Sequence, residues 1–309
     1  MTRVFFATDI HGSEKCWLKF LKSSQFYKAD VCILGGDITG KMVVPLIQQP
    51  NGNYVSSVFG KPTVIKKDKI QEHVKQVRNL GTYPYLTTQK EVDDLLANSE
   101  KQTELFMRLM RETVEKWIEL ADEQLKALKT KHFLCPGNDD RLEIDPTISR
   151  AKYLSNVEGM VINIDESHEM INSGWSNPTP WKTPRECSEA DLRNKIDGMA
   201  SQVKQMETCI CQLHVPPHAS GLDNAPELKD MRPNLSKTVP VGSIAVRDAI
   251  EKYQPMLGLH GHIHESRGAS NLGRTLCVNP GSDYGDGLLR GYIIDIDGAK
   301  IARYFPAVG

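Results

Sequence analysis

The sequence predicts an α/β protein whose strands deliver polar side chains to one edge of a sheet. Five short apolar runs carry the first half of that prediction: residues 4–8, 31–34, 133–135, 209–213 and 256–259. Runs this short, bounded by Gly or Pro and separated by helical stretches, read as strands buried on both faces. The second half is the set of polar residues just past the end of each run. In order these are Asp9 and His11, then Asp37, Asn138, His214, and finally His262 and His264. Strand carboxyl ends of an open α/β sheet face the ligand crevice. All seven residues are therefore expected at one edge.

The intervening segments have their own patterns. Ser13 is placed to cap a helix running to about Phe26, with Trp17, Leu18 and Leu21 on one face. A helix starting there turns its first N–H groups toward any phosphate held beside Asp9 and His11. Residues 43–47 and 54–59, joined across Asn51-Gly52, read as a hairpin. Residues 61–86 read as one shorter helix and a loop. Thr88 and Glu91 have the spacing of a capping box. Beyond it Phe106, Met110, Val114, Trp117, Ala121, Leu125 and Leu128 recur at steps of three and four, one face of a long amphipathic helix. The expected organisation is a single domain over 1–309 with a largely helical insert at about 61–130. The helical stripe is expected to pack on the core, the alternative being a homo-oligomer contact or a lid. Residues 174–181 are too long and Pro-rich for a simple turn, and either stack Trp175 or Trp181 on a base or aryl group or use them as pins to the core.

Composition excludes several classes. Hydrophobic residues are 39% of the 309 and charged residues 25%, which fits a folded globular chain rather than a disordered one. Lys plus Arg (38) nearly cancels Asp plus Glu (39), so no global field steers the chain to nucleic acid. The apolar runs fall well short of the roughly 18 residues of a membrane span, and the first is too short for a signal-peptide core. Seven cysteines form neither an even set nor a CxxC pair, so free, mostly buried thiols in a reducing cytoplasmic compartment are expected.

Two Asp, one Asn and four His offer hard oxygen and borderline imidazole donors with no thiolate. That mixture suits Mn, Fe, Zn, Co or Ni, and argues against an iron–sulfur or structural Cys-zinc site. Seven ligands exceed what one cation with an open position needs, and suit two divalent cations sharing a carboxylate. Paired cations can hold a bridging hydroxide at neutral pH and stabilise both attacking and leaving oxygens of a phosphoryl displacement.

The strings Asp9-Ile10-His11, Gly36-Asp37, Gly137-Asn138-Asp139-Asp140, His214 and Gly261-His262-Ile263-His264, in that order, resemble the motifs of the calcineurin-like metallophosphoesterase superfamily. His214-Val215-Pro216-Pro217 and Asn279-Pro280-Gly281-Ser282 resemble its small bacterial and archaeal branch. The resemblance implies a four-layer α/β/β/α sandwich of two mixed sheets. It also implies one metal on Asp9, His11, Asp37 and His264, and another on Asp37, Asn138, His214 and His262, with Asp37 bridging and manganese first among the candidate ions. Asn138 and Asp139 are the candidate catalytic residues.

Two departures refine the expectation. Protein phosphatases of the superfamily carry Asp-Arg-Gly after the bridging Asp, where this chain has Ile38-Thr39-Gly40. They also carry a proton-donating His after the motif Asn, where this chain has Asp139, which with Asp140 also reads as a turn and helix-cap pair. A carboxylate beside two cations is held ionised and makes a poor general acid. The expected activity is thus a phosphodiesterase on a small phosphoester such as a nucleotide. A phosphomonoesterase or nuclease with the same two-metal chemistry, or a non-catalytic scaffold, are the alternatives.

Overall fold

In the computed structural model, which describes residues 1–58, 60–229 and 232–309, alternation along the apolar runs builds the layers. Val4 and Phe6 of the strand Thr2–Ala7 point one way and Phe5 and Ala7 the other. One six-stranded sheet contains, in spatial order, Lys300–Val308, Arg290–Asp297, Thr2–Ala7, Val31–Leu34, Lys131–Leu134 and Ser155–Asn156. Its central strands are parallel, Arg290–Asp297 runs antiparallel to Thr2–Ala7, and Lys300–Val308 pairs antiparallel with Arg290–Asp297 at the edge. The second six-stranded sheet runs Gly268–Leu272, Thr275–Asn279, Leu257–Leu259, Ile210–Leu213, Glu169–Ser173 and Val161–Asn163.

The two sheets stack on each other through Val4, Phe6, Ile33, Ile210, Leu257 and Ile294. Phe5, Cys32 and Leu134 on the far face of the first sheet are covered by the helices Glu14–Tyr27 and Ser99–Leu125. Ile171, Cys211 and Cys277 of the second are covered by the helices Glu189–Ala200 and Ile244–Tyr253. This is the α/β/β/α sandwich, and strands buried on both faces explain why the runs are apolar at nearly every position, the buried Gln212 donating to the Gly35 carbonyl.

Ser13 caps its helix as expected, accepting from the Cys16 amide. The stripe from Met110 to Leu125 is buried in the same core, and Trp117 stacks on Trp17 with ring centroids 4.9 Å apart. That face is therefore covered within the chain and is not free to serve as an oligomer contact or lid.

The insert differs from a purely helical one. The hairpin Val43–Gln48 and Tyr54–Val58 forms, its last expected residue Phe59 lying outside the described residues. It is the middle of a four-stranded sheet completed by Lys61–Ile65 and Tyr83–Thr87. Residues 61–86 thus hold two strands as well as the helix Ile70–Asn79, which closes a small core of Val44, Leu46, Ile65, Val74 and Val77. Both unforeseen strands are edges and carry Pro62 or Pro84, tolerated there because an edge N–H needs no ladder partner. The capping box is half-formed. Thr88 accepts from the Glu91 amide, but the Glu91 carboxylate turns to the Thr87 hydroxyl at 2.6 Å and to that of Tyr85 at 2.5 Å. The helix begun there stops at Leu96, and Asn98 caps the long one anew. All seven cysteines are free, and among the described residues no helix is long and apolar enough to cross a membrane.

Candidate metal centre

The seven expected residues converge where the two sheets meet, each just past the carboxyl end of its strand. Sharp turns put them there. Asp9, His11, Asp37 and His262 have left-handed backbones, four of the eight such non-glycine residues among those described. A non-glycine residue in that region costs of order 1–3 kcal/mol and persists only where its surroundings hold it. Here the hold is visible. The Asp9 and His11 amides donate to Gly36 and Asp37 carbonyls at 2.9 Å, locking the first two strand ends together. The His262 amide donates to the Asp9 carboxylate at 3.1 Å, and the Ser282 hydroxyl to the Asp9 carbonyl at 2.6 Å. Two glycines allow the close approach: a Cβ on Gly137 would lie 2.2 Å from the Asp37 amide and carboxylate, and one on Gly261 2.3 Å from the Asp9 carboxylate.

The side chains of the seven fall into two groups, and His11 and Asp37 form a further set within ligand distance with Asp139. Asp9, His11 and His264 form the first of the two groups, with the His11 and His264 Nε2 atoms 2.9 Å apart and Asp9 Oδ1 3.4 Å from His264 Nε2. Asp37, His214 and His262 form the other. Asn138 Oδ1 joins the second at 3.0 Å from His214 Nε2 and 2.7 Å from His262 Nδ1. Asp37 stands between them, Oδ2 3.6 Å from His11 Nε2 and Oδ1 3.4 Å from His214 Nε2. The His214 Nδ1–H donates to the Gly35 carbonyl at 3.0 Å, which aims Nε2 inward, the outer support typical of a ligating imidazole.

The charges are unusual for a protein interior. Burial alone would raise Asp9 and Asp37, yet the His214 ring between them holds both carboxylates below their ordinary range. Burial works against a charged His214, and the Asp37 and Asp9 carboxylates overcome it, lifting the ring to about 10. Burial pushes His11 down to about 3 and His262 to about 4, so both present neutral imidazoles. The His11 Nδ1 is buried without a hydrogen-bond partner. Two ionised carboxylates, an amide oxygen and inward-facing imidazoles, packed within ligand distance of one another, fit divalent metal ions, whose charge would replace the proton that the carboxylates otherwise hold on His214.

Several residues beyond the seven shape this centre. Asp140, fully buried, accepts from the amides of Ile38, Thr39 and Gly137 and from the Thr39 hydroxyl, tying the Asp37 turn to the Asn138 turn. Lys41 forms an ion pair with Asp139, whose Oδ2 lies 3.8 Å from His11 Nδ1. Burial first and Asp37 second raise Asp139 to about 6, against the pull of Lys41. The Asn138 amide donates to the Thr183 hydroxyl at 3.0 Å, linking the centre to the segment after Trp181. Of the two loop tryptophans, Trp175 is packed against the second sheet's helices with Lys195 Nζ 4.3 Å from its ring centre. Trp181 is 66% exposed beside the centre. His218 lies beside Asp223, its Nδ1 3.8 Å from the carboxylate. His260 is buried, Nδ1 2.7 Å from the Leu213 carbonyl.

Comparison with known proteins gives the kinship. No protein-family model matches the chain. The uncharacterized protein MJ1162 of Methanocaldococcus jannaschii is 32% identical over 172 residues, which cover 55% of this chain and 69% of that one. The chain belongs to the same family as MJ1162. One crystal structure aligns over the whole chain and 98% of its own with a TM-score of 0.58 at 14% identity. TT1561 of Thermus thermophilus does so over the same shares with a TM-score of 0.54 at 12% identity.

Proposed function

We propose that this chain is a dinuclear-metal phosphoester hydrolase of the metallophosphoesterase fold, and that its substrates are phosphodiesters. The observation carrying the proposal is Asp37, whose two carboxylate oxygens face the two ligand groups separately. Asp9, His11, Asp37 and His264 would hold one cation, and Asp37, Asn138, His214 and His262 the other. When bound, two such ions supply Lewis-acid polarisation of the phosphoryl group and an acidified water, manganese being the first candidate for the pair.

The chain's own residues set the substrate preference. Hydrolysis breaks the bond from phosphorus to the leaving oxygen, replaces it with a bond to a water-derived oxygen, and leaves the departing oxygen in need of a proton. Asp139 stands where superfamily phosphatases carry a proton-donating His. With Lys41 alongside it and its acidity near 6 even without further cations, it is mostly ionised at pH 7. Lys41 instead presents a fixed positive charge where the leaving oxygen departs, which stabilises an acidic leaving group without transferring a proton. Neither residue serves a basic alkoxide leaving group well.

The test compares bis(p-nitrophenyl) phosphate with p-nitrophenyl phosphate and phosphoserine in the presence of Mn²⁺ and after chelation. Metal-dependent cleavage of the diester ahead of both monoesters supports the proposal, and Asp139→His should shift the ratio toward phosphoserine. Faster monoester cleavage by the unaltered chain would overturn the diester assignment.

A further inference from the structure

A groove of about 670 Å³ lies against the insert and reaches the metal centre through Asp139, none of the seven candidate ligands lining it. Its inner end is Gly40 and Asp139, the latter 3.8 Å from His11. Its floor is aliphatic and aromatic, built by Met42 and Pro45 of the insert sheet and by Leu95, Leu105 and Phe106 of the helices above it. The opposite wall is the segment from Trp181 to Pro184. That wall is a built feature. Thr183 and Thr179 both bond to the Glu186 carboxylate, Lys182 is held in a left-handed turn, and Thr183 receives the Asn138 amide. Trp181 and Leu96, exposed by 66% and 72%, border the space without being covered by the chain. Three cations line it, Lys41, Arg141 and Lys182, against the single carboxylate of Asp139.

We infer that this groove receives the organic part of a nucleotide substrate, with its base stacked on Trp181 and a further phosphate at Arg141 and Lys182. The inference rests on the phosphodiesterase reading above and names the class of diester. Two features select the class. A hydrocarbon chain would use the apolar floor and leave the excess cations unpaired, while a small inorganic anion would use the cations and leave the floor bare. A base with a terminal phosphate uses both, and the volume is that of a site for such a molecule. Trp181 is suited to stacking, because every base offers a π-face, and the guanidinium of Arg141, 5.8 Å over the Phe106 ring, is positioned by that ring for an anion.

Binding to chelator-treated protein tests this apart from catalysis. Adenosine 5′-monophosphate, inorganic phosphate, adenosine and octyl phosphate are titrated by calorimetry into wild type, Trp181→Ala and Arg141→Gln. The expected result is that the nucleotide binds more tightly than the other three. Trp181→Ala should weaken it at least fivefold and leave inorganic phosphate unchanged, and Arg141→Gln should weaken the nucleotide but not adenosine. Trp181 is exposed, so its removal leaves the fold intact. Nucleotide affinity equal in wild type and Trp181→Ala, or octyl phosphate binding best, overturns the inference. Cleavage of bis(p-nitrophenyl) phosphate without nucleotide preference removes the groove assignment alone. Trp181-dependent nucleotide binding without any diester cleavage removes the hydrolase reading and leaves the groove standing.

Discussion

Replacing Asp140 by Asn should loosen two turns of the metal centre at once. The carboxylate is fully buried and accepts four donors: the amides of Ile38 at 2.9 Å, Thr39 at 2.8 Å and Gly137 at 2.8 Å, and the Thr39 hydroxyl at 2.6 Å. An Asn side chain has one oxygen. If it stays at the Oδ1 position it keeps both Thr39 donors and the Ile38 amide, which also reaches Oδ1 at 3.1 Å, while its NH₂ faces the Gly137 amide. A buried donor left without a partner costs about 1–3 kcal/mol, which is the expected cost of the change. A domain is stabilised by only about 5–15 kcal/mol, so the loss is a large share. Urea unfolding followed by circular dichroism should show a lower midpoint with an unchanged slope. Asp140→Ala, which strands all four donors, should fall further. A midpoint shift worth less than about 0.5 kcal/mol, the size of an ordinary surface change, would refute the role given to Asp140.

Two further outcomes are expected from the same geometry. Gly137→Ala puts a Cβ 2.2 Å from the Asp37 amide and carboxylate, so Asp37 must move, and the variant should bind fewer Mn²⁺ ions per chain by equilibrium dialysis while its far-ultraviolet spectrum stays unchanged. Asp295, on the strand Arg290–Asp297, is held down to about 2, first by its hydrogen bond to Arg3 and then by Arg303. A carboxyl depressed by folding adds stability that is full above its ordinary range near 4 and fades as pH falls toward 2. Thermal melts of Asp295→Asn should therefore be lower than wild type at pH 6 and converge with it near pH 2, and a constant gap across that range would contradict the assignment.

The sandwich was legible because its central strands are buried on both faces. A run such as 31–34 has no polar position to disguise it, and the turn residue after it must be polar. The stripe through Met110, Val114 and Trp117 was legible for the same reason at a helical period, since it meets Trp17 in the core. The insert's outer strands were not. Lys61–Ile65 and Tyr83–Thr87 are sheet edges with a proline, half exposed, and their alternation is too weak to separate from loop. The long hairpin Asn224–Lys229 and Arg232–Pro240 is likewise polar and bears prolines at both strands. In the centre, the seven donor residues announce themselves by type and position. Lys41 and Asp140 do not, because their meaning lies in partners about a hundred residues away. Asp140 after Asp139 reads locally as a turn, and only the fold brings Ile38 and Thr39 to its carboxylate. Trp181 carried two readings in the sequence, and its exposure beside the groove separates it from the packed Trp175.

The bridging position of Asp37 is tested most directly by counting metal. Wild type and Asp37→Asn are loaded with Mn²⁺, freed of excess by gel filtration, and analysed for metal per chain, with bis(p-nitrophenyl) phosphate cleavage measured on the same samples. Two ions per wild-type chain, fewer than one and a half in the variant, and loss of metal-dependent cleavage in the variant are the expected results. One ion or none in wild type, or an unchanged count in Asp37→Asn, would contradict a two-metal centre bridged by this carboxylate.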